Sequence, residues 1–552
     1  MEASDTTRLL GSSSSSSYTH SSNDLTSSLI STSTSNISST NSSSSNSSSL
    51  SHTTRPKKAT LLSAYTNLAT AAVGVGILSY PYAFDAAGVL MIVLLTLVFI
   101  VVNGYTLQVL ADFAQRHQAK LTLYSYEELV QVVLGRRAYL VAVAVLFFNV
   151  IGSCTGFLIV VCDLAVPVLA KWIDPDSFLA SRTFVMLVFG LCVVFPLSLL
   201  GDFHSLAFSS FIAVASVLAV AGVVVYRGSS YIADHGSSAF DGDRVFLVQN
   251  SFSIVLAVPL CIFALGCHLQ VVPLYGEMSP SVQPRFPIVV VGTVTSCGFL
   301  YLLTGLFGYV EWTSSVKSDV LTNYDIGDTV IDVAKLLMGL HITLAYPVAL
   351  FPGRKALDLL IVNWTKGRVE PTLRRTMVQN FFIVLVTGLF AVLVPQVDMV
   401  FGFVGSTSAV ILDYGFPALM LLQRAREVAD EGFFTKPSQP TTNSSGHYPA
   451  SPVDGRSDGY NEKAALLSGH QGAPRTRGAS KLYLFSSAFV VDNESADGQT
   501  SWYRDDWYQA DGAKARAKWV WRERLIGRAL VGMSVLVALV GTGVNLYQDI
   551  TG

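Results

Sequence analysis

The feature that most constrains this chain is a long apolar stretch that recurs along most of its length. A helix needs about 20 predominantly apolar residues to cross the hydrocarbon core of a bilayer. Only 13% of the residues are charged, against about 25% in an average soluble domain. We therefore predict an all-α integral membrane protein with eleven transmembrane helices embedded in the lipid bilayer. The predicted spans are about 60–83, 88–113, 138–168, 182–200, 205–226, 248–273, 286–310, 328–350, 376–396, 399–422 and 525–547.

Two of these spans, the first and the sixth, contain residues that interrupt helices. Lipid offers no hydrogen bonds, so an interrupted helix is tolerated at mid-membrane depth only where its freed N–H and C=O groups face protein, water or a ligand. A pair of Gly/Pro-interrupted segments in corresponding positions of two chain halves is typical of the binding site of a secondary transporter. The interrupting residues are Gly74, Gly76 and Pro81 in span 1 and Pro259, Gly266 and Pro273 in span 6.

The composition divides the chain into four regions. Residues 1–58 are rich in Ser and Thr and are predicted to form a disordered cytosolic tail. Residues 59–424 hold a ten-helix core, residues 425–523 a low-complexity cytosolic insert, and residues 524–552 the eleventh span with a short outer end. The segment 124–134 is too short and too charged to cross, and we expect an amphipathic helix at the membrane interface. The loops on the side of the N-terminus hold the excess of Lys and Arg, which predicts a cytosolic N-terminus.

The N-terminal tail contains a sequence with the form of an acidic dileucine sorting signal. Asp5 is followed after three residues by Leu9 and Leu10. A similar spacing occurs between Glu462 and Leu467, although a chance match in a low-complexity tail is the alternative. We therefore expect a sorting adaptor as a partner and a vacuolar or lysosomal membrane as the location, with the plasma membrane as the other candidate.

Composition and motifs argue against two classes of function. The net charge of −2 and the lack of a zinc-finger, basic-zipper or RNA-binding signature argue against nucleic acid as a partner. A membrane enzyme would need a nucleophile with its base, or a metal cluster. His268 and His341, the ionisable residues nearest mid-membrane, have no matching acidic partner nearby in sequence. We therefore expect no enzyme activity and no cofactor other than a coupling ion.

Several stretches match the motifs of one family. Asn67 to Leu78 (NLATAAVGVGIL) resembles a first-span motif that is commonly N-L-x-N-A-x-x-G-x-G-I-L. Phe263 to His268 and Pro273 to Glu277 resemble F-S-F-x-C-H and P-x-Y-x-E, Tyr301 to Val310 resembles Y-x-x-x-G-x-F-G-Y, and Tyr346 to Arg354 resembles an eighth-span ending. On these motifs the core resembles the amino acid/auxin permease superfamily, and especially its sodium-coupled neutral amino acid transporter branch.

The resemblance implies both a fold and a function. The fold is a five-plus-five inverted repeat like that of the bacterial leucine transporter, with broken spans 1 and 6 and an added eleventh helix. The function is secondary active transport of a small neutral amino acid by alternating access. The alternative is an amino acid sensor that binds with little flux and signals through its cytosolic tails. Accumulation of substrate against a gradient distinguishes the two.

A zwitterionic amino acid presents a carboxylate and an ammonium group to the two breaks. Half-helix N-termini favour anions, so we expect the carboxylate where span 1 restarts and the ammonium at carbonyl groups freed in span 6. No acidic side chain lies central in either broken span, which favours net-neutral substrates. The alternative is that the glycines only permit close helix packing. The predicted substrate-binding residues are Gly74, Val75, Gly76, Ile77, Leu78, Phe263, Ala264 and Leu265.

The coupling ion is predicted to be sodium or a proton. Asn67 and Thr343 offer the oxygen ligands that hard cations prefer, and the family places such a site between the first and eighth spans. A Thr343 hydroxyl bonded back to its own helix is the alternative. Thr70 stands where many sodium-coupled relatives have asparagine, which weakens the case for sodium. His268 or His341 would serve a proton instead, unless each is a neutral histidine hydrogen-bonded within the bundle.

Overall fold

The computed structural model describes most of the helical core. The described residues are 60–118, 125–174, 177–199, 206–240, 245–249, 254–325, 327–365, 372–434 and 512–551. The regular elements within these ranges are helices, which confirms the all-α prediction. The predicted tail 1–58, with Leu9 and Leu10, and residues 435–511 of the predicted insert lie outside the described residues.

The helices lie at the positions of the predicted spans, and we keep the span numbers for them. Span 4 joins two short α-helices through a π-helical segment, and span 10 contains two π-helical segments between its α-helices. The helices are Leu61–Ala72 and Gly76–Ala87 (span 1), Val89–Gln118 (2), Arg136–Leu169 (3), Arg182–Val188, Phe189–Val194 and Phe195–Ser198 (4), Leu206–His235 (5), Ile254–Leu265 and Val271–Glu277 (6), Phe286–Trp312 (7), Thr329–Trp364 (8), Leu373–Leu393 (9), Val397–Val404, Gly405–Ala409, Ile411–Gly415 and Phe416–Phe434 (10), and Gly512–Thr551 (11). A short helix, Tyr126–Leu134, lies between spans 2 and 3.

Not every predicted span has the length and composition to cross a membrane. Among the described residues, nine helices are long and apolar enough, and the bent pair in span 1 raises the number to ten. Span 4 is a shorter apolar helix, Arg182–Ser198, which falls below the ~20 residues that a bilayer crossing needs. The count of eleven spans therefore stays a prediction.

Several helices continue beyond the ends predicted from hydropathy. Span 8 reaches Trp364 rather than residue 350, span 10 reaches Phe434, and the last helix begins at Gly512. Helix therefore extends into both ends of the predicted insert 425–523. Apolar content reports only the part of a helix that crosses the membrane, whereas Ala, Arg, Lys and Glu continue a helix in water.

Spans 1 and 6 are both interrupted at their predicted glycines. The two halves of span 1 are bent by 53° around the residues between Ala72 and Gly76. The first helix of span 6 ends at Leu265, and a 3-10 turn, His268–Gln270, leads into its second helix. The first half of span 1 contacts the second half of span 6, and the second half of span 1 contacts the first half of span 6. The two breaks therefore lie side by side.

Helices from both halves of the chain enclose the broken spans. Span 7 contacts both halves of span 1, and span 10 packs on the first half of span 6. Gly405 permits the second contact, because a methyl group at this position would lie 2.1 Å from the carbonyl oxygen of Pro259. Span 8 packs against spans 3 and 5 on the other side of the bundle. The two breaks therefore lie in the protein interior, where neighbouring helices can satisfy their freed backbone groups.

Candidate functional site

A cavity of about 250 Å³ lies where the two breaks meet. Its walls come from spans 1, 3, 5, 6, 7, 8 and 10. The cavity extends along the second half of span 6 to Glu277, which is exposed. Because this half of span 6 contacts the first half of span 1, the cavity opens at the end of the bundle where span 1 begins, which we call the Leu61 end. This volume is large enough for several water molecules or for a small organic solute.

The structure places five of the eight predicted substrate-binding residues on the cavity wall. These five are Gly74, Val75, Gly76, Phe263 and Ala264. The other three, Ile77, Leu78 and Leu265, are buried in the packing between helices. Gly266 and Cys267, which complete the break in span 6, also line the cavity.

The second half of span 1 presents backbone donors to this cavity. A helix leaves the N–H groups of its first turn without intrahelical partners. No side chain of the described residues caps this helix at its start. The N–H of Leu78 donates to the carbonyl oxygen of Val75 at 3.0 Å, and the N–H of Ile77 donates to the carbonyl oxygen of Gly74 at 3.4 Å. The first-turn donors at the cavity wall are therefore those of Val75 and Gly76.

The hydroxyl group of Tyr301, from span 7, lies between the two breaks. Its oxygen is 2.8 Å from the carbonyl oxygen of Ala72 and 2.9 Å from that of Ala264. Its single proton serves one carbonyl at a time, and both carbonyls belong to helix ends that the breaks leave without a continuing helix. The sequence placed Tyr301 in a family motif without assigning it a role. A tyrosine within an apolar span was the available signal.

The predicted cation ligands occupy different surroundings. Asn67 and Thr70 line the cavity, and Thr343 does not. The side-chain oxygen of Asn67 is buried and has no hydrogen-bond partner among the described residues. The hydroxyl of Thr343 donates to the carbonyl oxygen of Gly339 at 2.7 Å, which is the back-bonded arrangement considered as its alternative. The cation site between spans 1 and 8 stays a prediction.

His268 lines the cavity directly after the break in span 6, and it has an acidic partner. Its Nε2 lies 2.7 Å from Oγ1 of Thr106, and its Nδ1 lies 3.0 Å from Oδ1 of Asp413. The second approach does not have hydrogen-bond geometry, so it is an ion-pair contact. The two side chains are 0% and 6% exposed. An acidic side chain therefore faces the cavity from span 10, in addition to Glu277 at the end of span 6.

Asp413 was missed because the acidic residues were sought only within the broken spans. An aspartate in an otherwise apolar run is itself a signal of function in a membrane protein. The other intramembrane histidine, His341, is also buried, and its Nδ1 lies 3.3 Å from the carbonyl oxygen of Ala213. His341 does not line the cavity.

Relatives of this chain are named as amino acid transporters. Sodium-coupled neutral amino acid transporter 7 of Xenopus laevis is 28% identical over 367 residues, which cover 64% of this chain and 78% of the relative. Amino acid transporter AVT6E of Arabidopsis thaliana is 25% identical over 388 residues, which cover 66% and 76% of the two chains. The crystal structure of MhsT in complex with L-phenylalanine aligns with 70% of this chain and 94% of its own, at a TM-score of 0.49 and 14% identity.

A family match covers most of the chain, including both breaks and the cavity. Residues 57–430 match the family described as transmembrane amino acid transporter protein. This range contains spans 1 to 9 and span 10 as far as residue 430. The chain therefore belongs to the transmembrane amino acid transporter protein family.

Proposed function

We propose that this chain is a secondary active transporter of small neutral amino acids, driven by a proton or sodium gradient. The observation that carries the proposal is the single cavity into which both broken spans open. Span 1 presents N–H groups to this cavity and span 6 presents C=O groups, so the walls complement the two charges of a zwitterion. The name of the Xenopus laevis relative, a neutral amino acid transporter, supports the same substrate class.

The backbone groups suggest an orientation for the substrate. Its carboxylate binds the N–H groups of Val75 and Gly76, and its ammonium group binds the carbonyl oxygens of Phe263 and Ala264. The carbonyl of Ala264 is already close to the Tyr301 hydroxyl, but a carbonyl oxygen has two lone pairs and accepts a second hydrogen bond. Asp413, an acidic residue on the cavity wall, is paired with His268, which favours substrates without a charged side chain.

Alternating access requires a second conformation in which the cavity opens at the other end of the bundle. In the structure described here, the second half of span 1 is packed closed, with Tyr80 and Phe84 fully buried. With a cytosolic N-terminus, this conformation faces inward. The inverted repeat implied by the family supplies the opposite conformation by exchanging the roles of its two halves.

Two ions and two membranes are candidates. The oxygen of Asn67, which has no hydrogen-bond partner within the described ranges, and the name of the Xenopus laevis relative support sodium, whereas the pair of His268 and Asp413 supports a proton. The dileucine-like sequence at Leu9 and Leu10 supports a vacuolar or lysosomal membrane over the plasma membrane.

Uptake into proteoliposomes tests the proposal. Labelled glutamine, alanine and leucine are offered with either a sodium gradient or a proton gradient imposed. Accumulation of any of them under either gradient is the expected result. Binding without accumulation would overturn the proposal in favour of a sensor.

Two glycines test whether the cavity is the substrate site. Added methyl groups at Gly74 and Gly339 would have no atom within 4 Å, so neither substitution strains the fold. Gly74 lines the cavity and Gly339 does not. We expect Gly74→Ala to weaken substrate binding about tenfold or more, as one misplaced methyl group does in a fitted pocket, while Gly339→Ala leaves binding unchanged. Normal binding by Gly74→Ala would place the substrate elsewhere.

A further inference from the structure

Side chains from three different spans meet at the break in span 6. His268 follows the break, Thr106 belongs to span 2, and Asp413 lies in the π-helical segment Ile411–Gly415 of span 10. The imidazole ring contacts one partner at each nitrogen, Thr106 at 2.7 Å and Asp413 at 3.0 Å. His268 and Asp413 also line the cavity. The Asp413 side chain is 6% exposed and the His268 side chain is 0% exposed, so a proton from water in the cavity reaches the pair through the carboxylate of Asp413.

The hydroxyl of Thr106 lets the imidazole hold one or two protons without movement of heavier atoms. This hydroxyl lies 3.0 Å from the carbonyl oxygen of Val102, so it can donate there while accepting a hydrogen bond from a protonated Nε2. When Nε2 is unprotonated, the same hydroxyl rotates and donates to it. In both states Nδ1 keeps its proton, and Oδ1 of Asp413 lies 3.0 Å away as an ion-pair contact. The pair is therefore neutral overall with a proton on Nε2 and carries one negative charge without it.

The titratable groups that face this pair are uncharged at neutral pH. They are Tyr414, whose ring centroid lies 6.0 Å from that of His268, Cys267 in the break, and Tyr126 of the short helix. Free phenol and thiol groups ionise only above neutral pH. Within the described part of the chain, Asp413 forms an ion pair with His268 alone. No fixed positive charge therefore compensates the carboxylate when Nε2 loses its proton.

We propose that the pair of His268 and Asp413 binds the coupling proton, on Nε2 of His268, and that the charge of the pair controls the break in span 6. A methyl group at Gly266 would lie 2.8 Å from Oδ2 of Asp413, so the backbone of the break packs directly on this carboxylate. The neutral pair is stable in the cavity wall, whereas an uncompensated buried charge favours hydration or movement of the break. This inference rests on the proposed function, because it names the ion that drives the transport.

The test uses the full-length protein in sodium-free proteoliposomes that contain a trapped pH-sensitive dye. Labelled glutamine, alanine and leucine are the probes. One measurement is the exchange of labelled for unlabelled amino acid without any gradient. The other is accumulation under an imposed pH gradient, with the dye reporting proton movement. His268→Gln and Asp413→Asn are compared with His341→Gln, which alters a buried histidine that does not line the cavity.

The expected results separate coupling from substrate binding. The wild-type protein exchanges substrate, accumulates it under the pH gradient and moves protons with it. His268→Gln loses gradient-driven accumulation at least tenfold relative to its own rate of exchange, together with the dye signal. Asp413→Asn shifts the pH of half-maximal accumulation downward by about one to three units, the usual effect of losing a close opposite charge. His341→Gln behaves as the wild type.

Different failures overturn different conclusions. Wild-type exchange without proton-driven accumulation, or full proton-driven accumulation by His268→Gln, overturns the inference about the proton and leaves the proposed transport intact. If the wild-type protein neither exchanges nor accumulates any of the probes, the proposed function itself is overturned.

Thr106 provides a second test that removes no charge. Thr106→Val leaves the protonated Nε2 without an acceptor, and hydrogen bonds from a charged donor are stronger than those of the neutral ring. We expect the pH of half-maximal accumulation to fall by about one unit, and Thr106→Ser to restore it. No shift in Thr106→Val, or an equal shift in Thr106→Ser, would contradict the role given to this hydroxyl and overturn the inference.

Discussion

Replacing Tyr301 with phenylalanine removes the one hydroxyl group that bridges the two broken spans. The hydroxyl lies within 2.9 Å of the carbonyl oxygens of both Ala72 and Ala264, and the side chain is 0% exposed. The ring itself is retained, including its contact with Tyr80 at a centroid distance of 4.9 Å. The change is therefore confined to hydrogen bonding.

The expected loss of stability follows from the two carbonyl groups left behind. A hydroxyl has a single proton, so it forms one strong hydrogen bond at a time. A buried polar group that loses its partner costs about 1–3 kcal/mol. We expect Tyr301→Phe to lower the free energy of unfolding by this amount. The effect should be local, because both carbonyls belong to the breaks.

Tyr309→Phe is the matched control on the same helix. Tyr309 is also 0% exposed, but its hydroxyl accepts a hydrogen bond from the N–H of Phe246. Phe246 is a loop residue and is 38% exposed. Water can replace that bond, so we expect a loss below about 1 kcal/mol.

Thermal unfolding and amide hydrogen exchange together test whether the Tyr301 hydroxyl stabilises the two breaks. Tyr301→Phe should accelerate amide exchange around Gly76 and Cys267, and Tyr309→Phe should leave exchange there unchanged. A destabilisation by Tyr301→Phe below about 0.5 kcal/mol, with unchanged exchange at both breaks, would refute the bridging role.

Two further predictions concern the rest of the bundle. Burial, with a smaller contribution from the charge of Asp163, raises the pKa of Asp319, in the connection between spans 7 and 8, to about 7. The folded state then binds this proton more tightly than the unfolded chain, so the free energy of unfolding should fall by up to about 4 kcal/mol between about pH 4 and above pH 7. Thermal unfolding of Asp319→Asn should show a smaller decrease in stability over this pH range. An unchanged pH dependence of stability in the variant would contradict the prediction. Gly405→Ala places a methyl group 2.1 Å from the backbone of Pro259 and should lower the free energy of unfolding by about 1–3 kcal/mol. A variant as stable as the wild type would mean that spans 6 and 10 can move apart at this contact without cost.

The positions of the helices and of both breaks could be predicted from the sequence. Apolar runs of the required length are local features, and a glycine pair such as Gly74 and Gly76 weakens a helix wherever it occurs. The ends of the helices could not be predicted equally well. Span 8 continues to Trp364 through Pro352 and Gly353, which are residue types that usually end a helix, so the local sequence predicts an earlier end.

The partners of the breaks could not be predicted from local sequence. Tyr301 and Asp413 lie on spans 7 and 10, and only the fold brings their side chains to the broken spans. The π-helical segments of span 10, including Ile411–Gly415, were not predicted from the sequence either. Three of the predicted substrate-binding residues, Ile77, Leu78 and Leu265, turn into the core instead of the cavity, which depends on how the helices pack.

The groups that the fold leaves available at the cavity wall describe the ligand that would complete it. Tyr301 serves the carbonyls of the breaks, and His268 and Asp413 serve each other. The oxygen of Asn67, which has no partner among the described residues, requires a donor or a cation. The first-turn N–H groups at Val75 and Gly76 require an acceptor. A single amino acid zwitterion, alone or with one cation, supplies both, whereas a purely apolar solute would leave both groups buried and unsatisfied at about 1–3 kcal/mol each.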